Sequence, residues 1–147
     1  MFSPKKNNAW VKNIVAQPEG LNLDFKQSLT NQRKIAKTLL SFANTEGGTI
    51  VVGVSDQKKI IGIDPEEEMY MARESLQTYC HPPFPINFEV YEVEESTEPN
   101  LTAEKYILLI HVPKSPAGLH SLCIPNERPV YYKRVLDRSI PFQPDLL

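Results

Sequence analysis

The stretch Ser41-Phe42-Ala43-Asn44-Thr45-Glu46-Gly47-Gly48-Thr49-Ile50-Val51-Val52-Gly53-Val54-Ser55-Asp56 decides the fold class. Its first part closes a helix predicted over residues 31–45. There Ile35, Leu39, Phe42 and Ala43 fall at helical spacing, and Arg33, Lys34 and Lys37 sit toward the open side. Gly47-Gly48 is the C-terminal stop of that helix. Residues 49–54 are dominated by β-branched side chains and predict a buried strand. Ser55 to Lys59 reads as a turn, and Ile60, Ile61 and Ile63 as the returning strand of a β-hairpin. The order helix, glycines, strand is the reverse of a phosphate-binding P-loop, which runs strand, glycines, helix. The glycines are therefore read as a cap and a sharp turn.

Working outward, Trp10, Val11, Ile14 and Val15 make an apolar stripe on a short helix over 8–16, stopped by Pro18. Residues 21–26 alternate: Leu21, Leu23 and Phe25 on one face, Asn22, Asp24 and Lys26 on the other. This predicts a half-buried strand with a polar face. Asp64-Pro65-Glu66-Glu67-Glu68 is a helix start: a capping Asp, Pro at the first helical position, and acids on the positive end of the dipole. Met69, Ala72, Leu76 and Tyr79 or Cys80 carry its stripe to Pro82-Pro83. Strands are predicted at 86–93, at the almost wholly apolar 105–112, near 120–124 and at 129–135. The reading is an α/β (α+β) domain: a single mixed β-sheet with about three helices over 8–138. A flexible N-terminus over 1–7 and a C-terminal tail over 139–147 flank it.

Length and composition agree. The chain has 147 residues, 41% hydrophobic and 23% charged, which suits one globular domain with a real core. No apolar run approaches the roughly 18 residues of a membrane span. No apolar signal-peptide core follows the first lysines. Two cysteines make no disulfide framework, so a cytoplasmic location is expected. The net charge of −2 argues against a phosphate partner only until the chain is divided. Residues 1–63 carry nine basic and four acidic side chains, 64–104 one and eleven, and 105–147 six and three. The charges are segregated, and a basic face can stand on a near-neutral total.

Several constellations carry possible chemistry. Glu19 and Asp24 bracket a turn and a short strand, and Asp56 lies where the next strand runs out. If those strands are neighbours, three carboxylates converge, the usual protein supply for Mg²⁺ or Mn²⁺ at a phosphodiester-cleaving site. Lys26 shares the face of Asp24 and could reach a phosphate. The alternative is a turn Asp and a solvated Glu. In Tyr131-Tyr132-Lys133-Arg134, Tyr132 and Arg134 share a strand face, an arrangement that suits base stacking with phosphate contact. The alternative is an edge strand with one buried Tyr and solvated bases. Cys80-His81 with His120 and Cys123 could hold a structural zinc, although the spacing is no finger pattern. His111 is read as a satisfied core histidine. The acidic residues Glu89, Glu92, Glu94, Glu95 and Glu98 read as a solvated face or as a docking patch for a basic partner.

Glu19-Gly-Leu-Asn-Leu-Asp24-Phe-Lys26, the segment Ser41 to Asp56, Ile61-Gly-Ile63 and Tyr131-Tyr132-Lys133-Arg134 together resemble the Schlafen-type Alba-like domain over residues 8–138. The resemblance implies a small α/β nucleic-acid-binding domain. Some Schlafen relatives are metal-dependent endoribonucleases acting on structured RNA through three acids, which match Glu19, Asp24 and Asp56; the second is usually Glu. Some relatives carry zinc near Cys80-His81 and His120-Cys123. Two such lobes form a clamp in Schlafen proteins, so a homodimer is expected of a single lobe. The expected function is nucleic-acid binding, RNA or DNA, with structured or single-stranded RNA favoured because no element suited to reading a duplex major groove is evident. The expected phosphate contacts are Arg33, Lys34, Lys37, Lys133 and Arg134, with Tyr132 beside them. A metal-dependent endoribonuclease and a protein-interaction module are the alternatives.

Overall fold

The structure is a computed structural model that describes residues 3–98 and 101–144. Three helices form where the sequence signals them. Helix α1 (Asn8–Val15) starts at Asn7, whose side chain accepts the Trp10 N–H, and it buries Val11 and Val15. Helix α2 (Gln32–Ala43) is capped by Asn31, which accepts from Lys34 N–H, and closes at Asn44. Helix α3 (Pro65–Tyr79) is capped by Asp64, which accepts from Glu66 and Glu67. The strands are β1 (Leu23–Lys26), β2 (Gly48–Val52), β3 (Cys80–His81), β4 (Asn87–Glu98), β5 (Leu101–Val112), β6 (Ser121–Leu122), β7 (Val130–Val135) and β8 (Arg138–Phe142).

The strands form two sheets where one was expected. The first runs β1-β2-β5-β4, with β1 and β2 parallel and the other pairs antiparallel. The second runs β3-β6-β7-β8 and is antiparallel. The division has a simple cause. β2 already has β1 on one side and β5 on the other, so later strands find no edge there. The chain after β5 crosses to the other side of α2, where β6 pairs both with β7 and with β3 from the end of α3. The same saturation limits the expected hairpin. Gly53 and Val54 N–H groups donate to the Lys26 carbonyl, and the return is a single bridge between Val54 and Ile60. β4 and β5 run longer than expected, because they pair with each other from Asn87–His111 out to Glu98–Leu101. β8 occupies the first part of the expected tail, paired to β7 from Arg138 to Phe142.

Alternation along the first sheet sends side chains into two cores. Val51, Val93, Ile107 and Leu109 meet Val11 and Val15 of α1. Ile50, Val52, Val90, Leu108 and Ile110 meet Leu39, Leu40 and Phe42 of α2 and Met69, Ala72 and Leu76 of α3. Central strand β5 is covered on both faces, with no exposure from Ile107 to Ile110. The second sheet packs on α2 through Leu122 and Tyr132. Gly47 makes the turn between α2 and β2. Its φ is +77°, and an added Cβ would lie 2.8 Å from Lys114 N and Val112 O. No helix among the described residues is long and apolar enough to cross a membrane.

Candidate nucleic-acid interface and carboxylate site

Parallel pairing with β2 puts Asp24 opposite Ile50, so Asp24 faces the α2 side of the sheet while Leu23 and Phe25 pack toward α1. The expected polar face of this strand is thus turned inward. Asp24 is 4% exposed, and so is Arg134 of β7. The guanidinium Nη2 of Arg134 donates to Asp24 Oδ1 at 3.2 Å. Nη2 also donates to the Leu23 carbonyl, and Nε to the Gly20 carbonyl at 3.0 Å. Nη1 reaches Ser139 Oγ of β8, whose hydroxyl donates to Ser41 Oγ of α2. The guanidinium also lies 4.7 Å from the centre of the Phe42 ring. One side chain therefore ties the Gly20 loop, β1, α2 and β8 together. Such a buried pair is expensive to break, because either partner alone is an uncompensated charge.

Asp24 Oδ2 is buried without a hydrogen bond, and the Lys26 ammonium stands 3.1 Å away as an ion-pair partner. Glu19 lies beside the pair, its carboxylate accepting the Phe25 N–H at 2.9 Å. Desolvation first, then contact with the Asp24 carboxyl, push the Glu19 pKa above its ordinary value; the Phe25 N–H and Lys26 oppose the rise. Asp56 is exposed in the turn after β2. Because β1 and β2 are parallel, that turn lies beyond the end of β1, and its Lys58 ammonium donates to the Gln17 carbonyl at 2.6 Å and sits 3.6 Å from the Phe25 ring centre. Glu19, Asp24 and Lys26 are brought together, whereas Glu19, Asp24 and Asp56 do not form a cluster with donor atoms within 4.8 Å of one another. In this arrangement two cations, Arg134 and Lys26, face Asp24, so a Mg²⁺ or Mn²⁺ held by Glu19, Asp24 and Asp56 would have to compete with them.

The expected phosphate contacts divide. Arg33 and Lys34 are exposed on the first turn of α2, which carries no acid. Lys37 is half-buried, its ammonium 5.6 Å from the Tyr132 ring centre. Lys133 is exposed on β7. Tyr132 and Arg134 do share a face, but it is the inner one: Tyr132 belongs to the core and Arg134 to the Asp24 pair. Burial corrects their expected place on the binding surface, since neither can stack on a base or meet a phosphate there.

The sequence reading missed the polar end of α2. Asn44 Nδ2 donates to the carbonyls of His120 and Tyr132, both at 2.9 Å, and its Oδ1 accepts the His120 N–H at 2.9 Å. Thr45 Oγ1 accepts the Arg134 N–H at 2.8 Å. Asn-Thr before Gly-Gly is therefore the clasp that holds the second sheet to α2. A polar pair at a helix end was the available signal.

Cys80 is buried, with Sγ 4.0 Å from the Ala36 carbonyl; burial, then the neighbouring Cys123, push its thiol up to about 12. His81 is exposed. His120 is 2% exposed and uses both ring nitrogens, Nδ1 on the Pro82 carbonyl and Nε2 on Ser115 Oγ, each at 2.6 Å. A carbonyl only accepts, so Nδ1 carries the proton and Nε2 accepts from the hydroxyl. The four residues do not gather as metal donors. His111 is satisfied as expected, between Thr49 Oγ1 at 2.9 Å and Glu89 Oε1 at 2.5 Å. Glu89 also pairs with Lys5; the Lys5 bond first, then His111, hold its carboxyl below the ordinary value.

Among the described residues, one acidic group has donor atoms within 4.8 Å of one another: Glu92, Glu94 and Glu104. The β4–β5 register sets Glu94 opposite Glu104. The hydrogen bond to Glu92, then its charge, raise the Glu104 pKa. The group could hold a metal, and exposed acids often cluster without one. Lys6 already lies on Glu92 at 3.4 Å and on Glu94 at 3.8 Å. The side chains of Glu95 and Glu98, the rest of the expected acidic face, lie outside those described.

Residues 19–143 match the family model described as Schlafen, AlbA_2. A solved structure of the DIP2311 protein from Corynebacterium diphtheriae aligns with a TM-score of 0.52 at 20% identity, over 91% of this chain. The chain spans 30% of that protein, and the likeness is one of fold. No curated protein matches the sequence.

Proposed function

The chain belongs to the Schlafen, AlbA_2 family, and from that premise we propose that it binds nucleic acid through basic side chains on phosphates, RNA in preference to DNA. The observation that carries the reading is the first turn of α2. Arg33 and Lys34 are exposed there, no carboxylate shares the turn, and the helix dipole adds positive potential at the same end. Lys37 continues this surface along α2, and Lys133 stands on the far face of the second sheet as a separate basic group. Arg134 acts through position, by holding the Gly20 loop and β1 against the second sheet. A homodimer joining two such surfaces, in the cytoplasm, completes the proposal, and light scattering after size exclusion reads the dimer directly.

The test is fluorescence anisotropy with a labelled RNA hairpin over a range of salt. Affinity should fall steeply with salt. Arg33→Ala with Lys34→Ala should reduce the log–log slope by about 1.5, because each phosphate neutralised by a side chain accounts for about 0.7–0.9 of it. Affinity indifferent to salt, or an unchanged slope in the double variant, removes the reading.

Cleavage is the second reading, favoured by one observation: Glu19 and Asp24 stand side by side with the Phe25 N–H and Lys26 around them. Labelled structured RNA incubated with Mn²⁺ or Mg²⁺ should be cut by the wild type and spared by both Glu19→Gln and Asp56→Asn if the chain is a nuclease. Equal behaviour of all three leaves binding alone.

A further inference from the structure

The alternation that buries Tyr132 and Arg134 sends their neighbours outward. The β7–β8 register pairs Tyr131 with Phe142, Lys133 with Ile140 and Val135 with Arg138, so these side chains share the sheet face opposite α2. Tyr131 and Phe142 are half-buried, with ring centres 6.2 Å apart and planes inclined by 57°. The Lys133 ammonium lies 5.4 Å from the Phe142 ring centre. Beside the two rings is a groove of about 470 Å³, lined also by Arg128 and by no acidic side chain among the described residues. Arg138 is exposed on the same face.

We propose that this outer face binds single-stranded nucleic acid, with unpaired bases stacked on Tyr131 and Phe142. Lys133, Arg128 and Arg138 meet the phosphates on either side. The inference rests on the nucleic-acid reading above and adds the strand state. Half-exposed aromatic rings fixed in a sheet, with cations around them and no carboxylate in the groove, are what a flexible strand needs: a π-face for each base and positive charge for the backbone. A duplex keeps its bases stacked inside and would find only the cations.

The experiment compares a labelled oligouridine with a blunt duplex of equal length by anisotropy. Tyr131→Ala and Phe142→Ala should each weaken binding of the single strand by at least about fivefold, the low end of one base–aromatic stack. Tyr131→Phe should restore it, and Tyr70→Ala, an exposed ring on α3, should change nothing. Photocrosslinking of a 5-iodouridine oligonucleotide to the unsubstituted protein should mark Tyr131 or Phe142, and this arm does not depend on how the variants fold. Single-strand binding untouched in both alanine variants, or crosslinks outside residues 128–142, overturns the platform and leaves the general reading standing. Wild-type protein that binds neither oligonucleotide at low salt overturns both. Capture of a proline-rich peptide with no oligonucleotide binding also overturns it.

Discussion

Glu19 is the residue whose chemistry depends most on its neighbours. Its carboxyl sits near Asp24 and under the Phe25 N–H, and its folded pKa lies above the ordinary value. The folded chain therefore holds this proton more tightly than the unfolded chain does. Stability from Glu19 is full below the ordinary carboxylate value and declines as pH rises through the raised one. We expect Glu19→Gln to remove that decline, read as a wild-type urea midpoint that falls relative to that of the variant as pH rises from acid to neutral. Asp24→Asn should bring the Glu19 midpoint in a carboxyl NMR titration part of the way back, since desolvation remains. A wild-type midpoint at or below the ordinary value contradicts the account. The closeness of Glu19 and Asp24 was legible from a five-residue spacing around a turn. The burial of Asp24 was not, because its partner Arg134 stands 110 positions away in the sequence.

At the scale of elements, α2, the Gly47 turn and β2 were legible because each rests on local chemistry: a helical stripe, a positive-φ glycine and a β-branched run. For β7 the period of two was legible and its orientation was not. Alternation divides Tyr131 and Lys133 from Tyr132 and Arg134, but only packing against α2 decides which set is inside. β6 falls inside the strand expected near 120–124, whereas β3, two residues paired only to β6, leaves no periodic trace. Asn44 is the hinge of this arrangement. Asn44→Ala removes three hydrogen bonds and leaves the carbonyls of His120 and Tyr132 and the His120 N–H without those partners. We expect a loss of about 2 kcal/mol or more in urea denaturation. A loss within the range of an ordinary surface substitution, about 0.5 kcal/mol, shows that water replaces these bonds freely.

At the scale of the molecule, the segregated charges turn out to be partly spent on one another. Lys5 is bridged to Tyr91 of β4, which delivers Lys5 to Glu89 and Lys6 to Glu92 and Glu94. Two of the nine basic side chains in residues 1–63 thus offset the acidic middle segment instead of building a phosphate surface. Lys5→Gln with Lys6→Gln should leave the salt slope of RNA binding unchanged, while Arg33→Ala with Lys34→Ala lowers it. Equal reductions in the two double variants place the N-terminal lysines in the interface. Exposed pairs of this kind contribute little stability, so their effect is on where free charge remains.

Arg134 also sets an order of events during synthesis. The chain emerges with Asp24 early, and the guanidinium that neutralises it follows 110 residues later. Until then β1 can pair with β2, but its carboxylate has only Lys26 nearby and must keep its water. The loop at Gly20, Leu23 and Asp24 of β1 and the Phe42 ring of α2 all wait for the same late side chain. Contacts of such long range raise the entropic cost of closure and slow folding. The acid-bearing end of the first sheet is therefore expected to be the last part of the domain to lose its solvent, closing only after β7 has left the ribosome.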